Sequence, residues 1–219
     1  MDRLTCGIID KMKTIIWDYN GTILDDVDLT YQVEQVMLKE RSMKTYTMTE
    51  YKDMFCFPVI EYYYKMGYTF IDETYDAVSD EFTRLYDAGF DQCRLADGFT
   101  TLIEKAIEIG YRNIIVSAAK QDKLQAQCKA LGIAKYFDVI SGTDDLYGGS
   151  KIEKAKAVMK AYAIDPSQCM YIGDTDHDMD TAEAVGIQHV ILTAKGHQSR
   201  HILEKKCANV VDSLKEICL

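Results

Sequence analysis

The sequence predicts an α/β fold: a Rossmann-like parallel sheet core with helices on both faces, plus an all-helical cap inserted after the first strand. Two observations predict this. Short runs of β-branched and aromatic residues alternate along most of the chain with helical patterns of about 10–15 residues, and this alternation is typical of parallel sheets. One acidic, tyrosine-rich segment interrupts the alternation and contains no convincing strand.

The predicted strands are apolar along their whole length, which indicates burial on both faces of the sheet. Five such runs and a weaker sixth are Thr14–Trp17, Asn113–Val116, Phe137–Ile140, Cys169–Ile172, His189–Leu192 and Asn209–Val211. Helical spacing of apolar residues predicts helices over Thr101–Ile109, Asp122–Leu131 and Ile152–Ala163. The first two end directly before a glycine, which is a common helix stop.

Residues 25–93 form the predicted cap, and residues 1–24 and 94–219 form the predicted core domain. The cap segment holds nine of the 15 tyrosines of the chain. Between Asp25 and Asp91 there are 15 acidic and six basic residues, so this segment carries nearly all of the net charge of −10. We expect most of the tyrosines to pack the small helical core and some to line a pocket over the sheet edge.

The composition excludes several classes of protein. Hydrophobic residues make up 47% of the 219 residues, and only two are prolines, which is typical of a chain that forms a core. No apolar run approaches the ~18 residues of a membrane helix, and the first residues lack a secretory-signal pattern. An acidic chain also lacks the basic clusters that bind nucleic acid or anionic membranes. We therefore expect a cytoplasmic monomer or homodimer without such partners.

The cysteines predict neither a metal site nor a disulfide framework. There are seven of them, they are scattered along the chain, and none forms a Cys-x-x-Cys pair. We expect reduced thiols, most of them buried.

Polar side chains follow the predicted strands at the points where the strands end. The first strand is followed by Asp18–Thr22, the second by Ser117-Ala118 and the fourth by Gly173–Asp178, while the loop after the third leads to Gly148–Lys151. Open parallel sheets bind ligands beyond these carboxyl ends. Carboxylates can hold Mg²⁺ and supply an oxygen nucleophile, whereas hydroxyls and a lysine can bind phosphate oxygens. The set as a whole indicates phosphoryl transfer.

Each group has a simpler explanation when it is taken alone. Asn20-Gly21 favours a turn, Ser117 is placed like a helix N-cap, and Lys151 resembles a solvated surface residue. Gly148–Lys151 is not a nucleotide-binding P-loop, because Gly-Lys-[Ser/Thr] is absent. The aspartates at 174, 176, 178 and 180 lack the glycine and the closing glutamate of an EF-hand. Only the whole set, in this order, predicts the chemistry.

In this order the motifs resemble those of the haloacid dehalogenase-like (HAD) superfamily, over nearly the whole chain. The family's Asp-x-Asp-Gly-Thr motif corresponds to Asp18–Thr22, its strand-terminal Ser or Thr to Ser117, its Lys to Lys151 and its Gly-Asp-x-x-x-Asp motif to Gly173–Asp178. A helical insertion after the first motif is typical of the C1-capped members. Among these the chain is most similar to phosphoglycolate phosphatase-type hydrolases.

The resemblance implies a role for each site residue. Asp18 would be the nucleophile, forming an aspartyl-phosphate. Mg²⁺ would be held by Asp18, Asp174 and the backbone carbonyl of Asn20, while Asp178 would support the ion or hold Lys151. The residues that would bind the phosphoryl oxygens are Gly21, Thr22, Ser117, Ala118 and Lys151. The expected reaction is hydrolysis of a small phosphorylated metabolite.

Position 20 departs from the family pattern. The family has a carboxylate there that protonates the leaving alcohol and then activates water, whereas Asn20 can hydrogen-bond but cannot carry the proton. Such groups contribute roughly 10²–10⁴-fold to the rate. Three explanations stay open: a slow hydrolase in which Asn20 acts with another group or water, a non-catalytic phospho-ligand-binding or regulatory protein, and an engineered trap. Of these three we expect the first, a Mg²⁺-dependent phosphatase in which Asn20, Ser117 and Lys151 assist Asp18.

Other reactions of the superfamily fit less well. The 2-haloacid dehalogenases need no Mg²⁺, whereas Asp174 and Asp178 are retained here. Phosphonatases carry a small residue at position 20 and a Schiff-base lysine in the cap, where Lys39, Lys44, Lys52 and Lys65 match by location only. Sugar phosphomutases need the missing acid–base group even more than phosphatases do.

Substrate choice is expected to come from the cap. Phe57-Pro58 and Gly67 indicate loops that turn toward the active site, because Pro and Gly break helices. The acidic cap disfavours polyanionic substrates and favours a small, singly phosphorylated molecule. His177 is expected to cap the following helix rather than to act in catalysis.

Overall fold

A six-stranded parallel sheet forms the centre of the computed structural model, which describes residues 13–144 and 151–219. Its strands are β1 (Thr14–Trp17), β4 (Arg112–Lys120), β5 (Val139–Thr143), β6 (Cys169–Gly173), β7 (His189–Thr193) and β8 (Val210–Val211). Their spatial order is β5-β4-β1-β6-β7-β8, and every neighbouring pair is parallel. The predicted α/β class with a Rossmann-like parallel sheet is confirmed, and all six predicted strands are present, β1 with the predicted bounds and the other five with shifted ends.

Helices connect the strands and cover both faces of the sheet. In the core they are α5 (Phe99–Glu108), α6 (Gln121–Ala130), α7 (Lys151–Ala161), α8 (Asp176–Ala184) and α9 (Arg200–Leu203). Short 3₁₀ helices lie at Phe90–Gln92, Ala134–Tyr136, Pro166–Gln168 and Leu214–Glu216. The three helices that the sequence predicts correspond to α5, α6 and α7.

Strand β1 lies in the middle of the sheet and is fully buried. Its side chains alternate between the faces: Ile15 and Trp17 belong to one hydrophobic cluster and Ile16 to the other. This is why the strand is apolar along its whole length. Since each such side chain contributes roughly 1.5–3 kcal/mol by burial, the sheet holds the carboxyl end of β1 in a fixed position.

Four helices lie between β2 (Leu24–Asp25) and β3 (Arg94–Leu95), and we call residues 27–92 the helical insert. The helices are α1 (Val27–Glu40), α2 (Met48–Met54), α3 (Val59–Met66) and α4 (Tyr75–Gly89). β2 and β3 pair with each other as an antiparallel ribbon, so the chain enters and leaves the insert at adjacent points. Helices α1 and α4 pack together, and the aromatic core of the insert is continuous with one face of the sheet. The division into a core domain and a cap stays a prediction.

The cysteines in the described ranges are free thiols, and Cys93, Cys128, Cys169 and Cys207 are buried. Cys6 lies outside those ranges. The prediction of reduced, mostly buried thiols agrees with this arrangement. Within the described part of the chain, no helix combines the length and the apolar character that crossing a membrane requires.

Candidate active site

Asp18 follows β1 directly and lies at the carboxyl edge of the sheet. Its N–H donates to the carbonyl oxygen of Ile172 at 2.8 Å, which continues the pairing of β1 with β6 beyond the strand itself. The side chain is buried but lines a cavity between the sheet edge and the helical insert. A carboxylate is therefore held on a rigid strand end, facing the space in which a ligand could lie.

The turn after Asp18 is built on one backbone oxygen. The carbonyl of Tyr19 accepts the N–H groups of Thr22, Ile23 and Leu24 at 3.3, 2.9 and 2.9 Å. Gly21 has a φ of +71°, a left-handed conformation that glycine adopts without strain. A Cβ on Gly21 would lie 2.3 Å from Oδ2 of Asp174, so this glycine also allows the ends of β1 and β6 to approach closely.

Asp174 follows β6 and is held by hydrogen bonds to both of its carboxylate oxygens. Oδ1 accepts from the hydroxyl of Thr22 at 3.1 Å, and Oδ2 accepts from the backbone N–H of His197 at 2.6 Å. Thr22 is buried, and its hydroxyl is directed at Asp174 rather than at the cavity. Its N–H donates to the carbonyl of Tyr19, so its predicted part in binding phosphate stays a prediction that these contacts do not support.

Asp178 lies on the first turn of α8 and is completely buried. Its Oδ2 accepts the backbone N–H groups of Asp174 and Thr175 at 3.1 and 2.9 Å, as well as the Thr175 hydroxyl at 2.8 Å. Each of Asp18, Asp174 and Asp178 offers a carboxylate oxygen, and these three atoms lie within 4.8 Å of one another. The structure thus brings Asp18 next to two carboxylates that lie more than 150 residues farther along the sequence.

Lys151 begins α7, and its ammonium group joins two of these carboxylates. It forms ion pairs with Asp18 and, at 2.5 Å, with Oδ1 of Asp178. Lys151 is only 2% exposed, which excludes the solvated surface residue that the sequence left open. The preceding Gly148-Gly149-Ser150 lies outside the described residues.

Burial and mutual repulsion control the protonation of this cluster. Burial raises the pKa of Asp18 well above its usual value, and Asp178 and Asp174 add to this although Lys151 opposes it. Burial and the charge of Asp178 raise the pKa of Asp174 to about 6, against the effect of His197. Burial alone would also raise the pKa of Asp178, but Lys151 and the hydrogen bonds from Thr175 hold it below its usual value. A further cation beside Asp18 and Asp174 would favour ionisation of both.

Ser117 and Ala118 lie within β4 rather than after it, because the strand continues to Lys120 through a register shift that begins after Val116. Both line the cavity. The Ser117 hydroxyl accepts the N–H of Ala119 at 3.0 Å. Helix α6 begins only at Gln121, so Ser117 is not its N-cap.

Asn20 also lines the cavity, and its amide is bound on one side by the helical insert. Nδ2 donates to Oδ2 of Asp26 at 2.7 Å and contacts the hydroxyl of Tyr86 at 3.2 Å. That hydroxyl in turn donates to the same oxygen of Asp26 at 2.6 Å. The side chain of Asn20 is therefore oriented by two residues that the sequence did not single out.

His197 is a third residue that the motifs did not reveal. Its ring bridges the two parts of the structure: Nε2 lies 3.3 Å from Oδ1 of Asp26, and Nδ1 lies 2.5 Å from the hydroxyl of Tyr51 in the insert. Burial alone would lower the pKa of His197, but Asp26 and Asp174 raise it to about 9. At neutral pH the ring is therefore a cation that donates from both nitrogens. His197 follows β7, so the strand-end argument applied to a fifth strand would have found it.

The remaining polar residues of the fourth motif face elsewhere. The ring of His177 stacks on Phe57 with centroids 4.6 Å apart, so it contacts the insert rather than the carboxylates. Asp176 and Asp180 form ion pairs with Lys206, at 3.5 and 2.8 Å. Neither aspartate joins the carboxylate cluster.

The cavity has a volume of about 270 Å³ and is lined by two unlike groups of residues. The strand-end residues described above form what we call its polar end. The helical insert contributes the other group, in which several side chains are aromatic: Thr30, Glu34, Phe55, Phe57, Val59, Tyr62, Tyr63, Tyr75, Ser79, Phe82, Thr83, Tyr86 and Asp87. Some of the cap tyrosines thus line a pocket, as expected.

The donor set at the polar end suits a hard divalent cation. Its ligand atoms are carboxylate oxygens, which is what Mg²⁺ prefers. Glycines leave the space that Asp174 occupies: a Cβ on Gly196 would lie 2.2 Å from Oδ2 of Asp174, close to the value for Gly21. The carboxylate ligands and the space around Asp174 therefore fit Mg²⁺.

Comparison with known proteins shows similarity in both sequence and fold. The chain is 29% identical over 123 residues to phosphoglycolate phosphatase of Escherichia coli strain K12, covering 56% of this chain and 45% of that protein. It is 26% identical over 118 residues to the tyrosine-protein kinase PtkA of Mycobacterium tuberculosis, covering 53% and 40%. The matched segment spans less than half the length of these relatives.

Solved structures share the fold over nearly the whole chain. A predicted phosphatase from Clostridium acetobutylicum superimposes with a TM-score of 0.77 at 17% identity, covering 94% of this chain and 95% of that one. CbbY from Rhodobacter sphaeroides, in complex with phosphate, gives 0.71 at 17% identity over 94% and 96%. A family model for haloacid dehalogenase-like hydrolases matches residues 15–192, the range that contains all four motifs. The chain belongs to the haloacid dehalogenase-like hydrolase family.

Proposed function

We propose that this protein hydrolyses a small phosphomonoester, with Mg²⁺ as its cofactor and Asp18 as its nucleophile. The observation that carries the proposal is the clustering of Asp18, Asp174, Asp178 and Lys151, of which Asp18, Asp174 and Lys151 line the cavity. Family membership supports the reaction class, and the relatives named phosphoglycolate phosphatase support a small phosphate ester as substrate.

In the first step a carboxylate oxygen of Asp18 attacks phosphorus. An Asp18 oxygen–phosphorus bond forms, the phosphorus–oxygen bond to the alcohol breaks, and the alcohol leaves with a proton from water. In the second step water attacks the phosphorus of the aspartyl-phosphate and gives a proton to solvent, the bond between the Asp18 oxygen and phosphorus breaks, and inorganic phosphate leaves with the Asp18 carboxylate restored. The strand end fixes the backbone of Asp18 for both steps, since its N–H donates to the carbonyl of Ile172.

The groups around Asp18 bind the phosphoryl oxygens. Lys151 brings a positive charge to Asp18, and Ser117 and the backbone at Ala118 lie on the same cavity wall. Positive charge and N–H donors at these positions stabilise the charge that develops on the oxygens. Asp178 orients the Lys151 ammonium group through its ion pair.

Asp18 and Asp174 would hold Mg²⁺ together with the backbone carbonyl of Asn20. When bound, the ion offsets the repulsion between the anionic nucleophile and the anionic phosphate. Asp178 remains the partner of Lys151. Asn20 itself gives a hydrogen bond but no proton, so turnover is expected to be slow or restricted to good leaving groups such as aryl and acyl phosphates.

A phospho-ligand-binding or regulatory protein is the alternative, and it is favoured by Asn20 alone. Hydrolysis of p-nitrophenyl phosphate with and without Mg²⁺ separates the two. The proposal predicts Mg²⁺-dependent release of phosphate by the parent protein, none by Asp18→Asn, and an unchanged rate for Asp80→Asn, whose side chain is exposed on α4.

A binder would instead be stabilised against heat by phosphate esters and release no phosphate with Mg²⁺. Turnover that survives in Asp18→Asn would place the nucleophile elsewhere. The cytoplasmic location, the monomeric or dimeric state and the absence of nucleic-acid and membrane partners stay predictions.

A further inference from the structure

A carboxyl group of the helical insert lines the same cavity as the phosphate-binding groups. Glu34 lies on α1 and is 4% exposed. Its Oε2 accepts a hydrogen bond from the hydroxyl of Tyr62 at 2.6 Å. The mechanism proposed above uses neither residue.

Glu34 differs from Asp18 and Asp26, which also line the cavity, in having no cation within ion-pair distance. Asp18 is paired with Lys151, and Asp26 lies beside the His197 ring. Among the residues that the structure describes, no cation lies within ion-pair distance of Glu34. Burial raises the pKa of Glu34 to about 8, although the Tyr62 hydroxyl and His197 lower it in part. A buried carboxyl without a cation is costly to ionise, so its presence at a cavity wall points to a ligand.

Aromatic rings surround this part of the cavity. Phe55 and Tyr62 contact each other with ring centroids 5.1 Å apart, and Phe82 stacks on Tyr86 at 5.8 Å. All four residues line the cavity. Aromatic faces combined with a carboxylate attract ammonium groups, because the ring quadrupole is negative over its face.

The cations that line the cavity belong to the core: Lys120, Lys123, Lys151 and His197. Lys123 forms an ion pair with Asp87 of the insert, and Lys120 is exposed. The insert therefore contributes aromatic rings and two carboxyl groups to the cavity, of which Asp87 is paired, but no cation among its described cavity-lining residues. A leaving group with a carboxylate would oppose ionisation of Glu34, whereas an ammonium group would favour it.

We propose that the leaving group of the substrate carries an ammonium group bound by Glu34 and the aromatic wall, so that the substrate is a phosphorylated amino alcohol. This inference rests on the proposed function, since it assigns the phosphate to the polar end of the same cavity. Hydrolysis breaks the phosphorus–oxygen bond, the amino alcohol leaves with a proton from water, and the ammonium group is unchanged. The volume of about 270 Å³ lies just below the range of about 300–1,000 Å³ for drug-sized ligands and suits so small a molecule.

The test compares substrates that differ in charge but hardly in shape. Phosphocholine and phosphoethanolamine are the ammonium substrates; 3,3-dimethylbutyl phosphate replaces the nitrogen of phosphocholine by carbon, and phosphoglycolate carries a carboxylate. With Mg²⁺ and the parent protein, we expect kcat/KM for the better ammonium substrate to exceed that for both others by at least about tenfold. Comparison of phosphocholine with phosphoethanolamine shows whether the site takes a quaternary or a primary ammonium.

Variants then test whether Glu34 causes the preference for ammonium substrates. Glu34→Gln keeps the size of the side chain and removes its charge, and Glu40→Gln makes the same change at an exposed position of the same helix. We expect Glu34→Gln to raise KM for the ammonium substrate about tenfold more than for 3,3-dimethylbutyl phosphate, and Glu40→Gln to leave the ratio of the two unchanged.

Turnover of p-nitrophenyl phosphate without a preference for ammonium substrates overturns this inference and leaves the proposed function standing. A preference for phosphoglycolate, or an ammonium preference that Glu34→Gln retains, also overturns it. Loss of all Mg²⁺-dependent phosphate release would overturn the proposed function as well. Because the substrate comparison uses the parent protein, it does not depend on whether Glu34→Gln folds.

Discussion

The side-chain nitrogen of Asn20 lies 2.7 Å from Oδ2 of Asp26 and donates a hydrogen bond to it. This contact determines what a carboxyl group at position 20 would do. Two carboxyl groups at such a distance resist double ionisation and share a proton, which raises one pKa. Asn20→Asp would therefore supply a proton for the leaving alcohol as well as the carboxylate that the family usually has.

We expect Asn20→Asp to increase kcat on an alkyl phosphate at least about tenfold, since positioned acid–base groups contribute roughly 10²–10⁴-fold. Steady-state phosphate release with Mg²⁺ measures this. Asn20→Ser, which has a hydroxyl that cannot act as the acid, is the control and should bring no gain. A rate for Asn20→Asp equal to or below that of the parent protein would show that position 20 does not limit turnover.

Substitutions at two glycines distinguish the effect of a left-handed backbone from the effect of a side chain placed against Asp174. Gly21 and Gly110 both have positive φ, +71° and +86°, but a Cβ would lie 2.3 Å from Asp174 at the first and would meet nothing within 4 Å at the second. Gly110→Ala should lose about 1 kcal/mol of stability and keep its activity. Gly21→Ala should lose activity by at least about a hundredfold, because Asp174 has to move.

Thermal melts and p-nitrophenyl phosphate turnover of both variants check this pair. Equal activity of Gly21→Ala and Gly110→Ala would mean that the position of Asp174 is not critical for the reaction.

The free energy of unfolding should decrease with rising pH, because Glu34 keeps its proton in the folded protein and loses it in the unfolded chain. Its ordinary pKa is 4.5, and burial raises it to about 8 in the folded state. Between these values the folded chain holds a proton that the unfolded chain has lost, so the free energy of unfolding decreases as pH increases from about 4.5 to about 8. Glu34→Gln lacks this dependence, so its melting temperature relative to the parent protein should increase between about pH 5 and about pH 8.

Glu40→Gln provides the comparison for this experiment, because position 40 is exposed on the same helix. Its difference from the parent protein should stay constant over the same pH range. If the difference in melting temperature between Glu34→Gln and the parent protein were also constant, Glu34 would be ionised in the folded protein even at low pH.

The sheet could be predicted from the sequence because its strands are buried on both faces and therefore apolar throughout. The residues at which the strands begin and end were less predictable. The apolar pattern predicts that Phe137 belongs to a strand, but β5 begins at Val139 because Phe137 follows a 3₁₀ helix and stacks on Phe99, with ring centroids 6.3 Å apart. β4 continues beyond its apolar residues to Lys120 through an irregular register. No residue in this segment is of a type that predicts the irregularity.

The site was predictable where a residue follows a strand and not where it depends on how the insert packs. Asp18 and Asp174 follow adjacent strands, so their proximity follows from topology. Asp26 and Glu34 belong to an acidic segment in which nothing distinguishes them from its exposed carboxylates. Their importance comes from burial against Tyr86 and Tyr62, which only the packing of α1, α3 and α4 determines.

The account depends on one divalent cation held between Asp18 and Asp174, and a crystal structure determined with Mn²⁺ tests this most directly. Mn²⁺ takes the same oxygen ligands as Mg²⁺ and can be located by its anomalous scattering. The account predicts one anomalous peak coordinated by a carboxylate oxygen of each residue, and its loss in Asp174→Asn. No peak between the two carboxylates, or side chains that face different cavities, would contradict it.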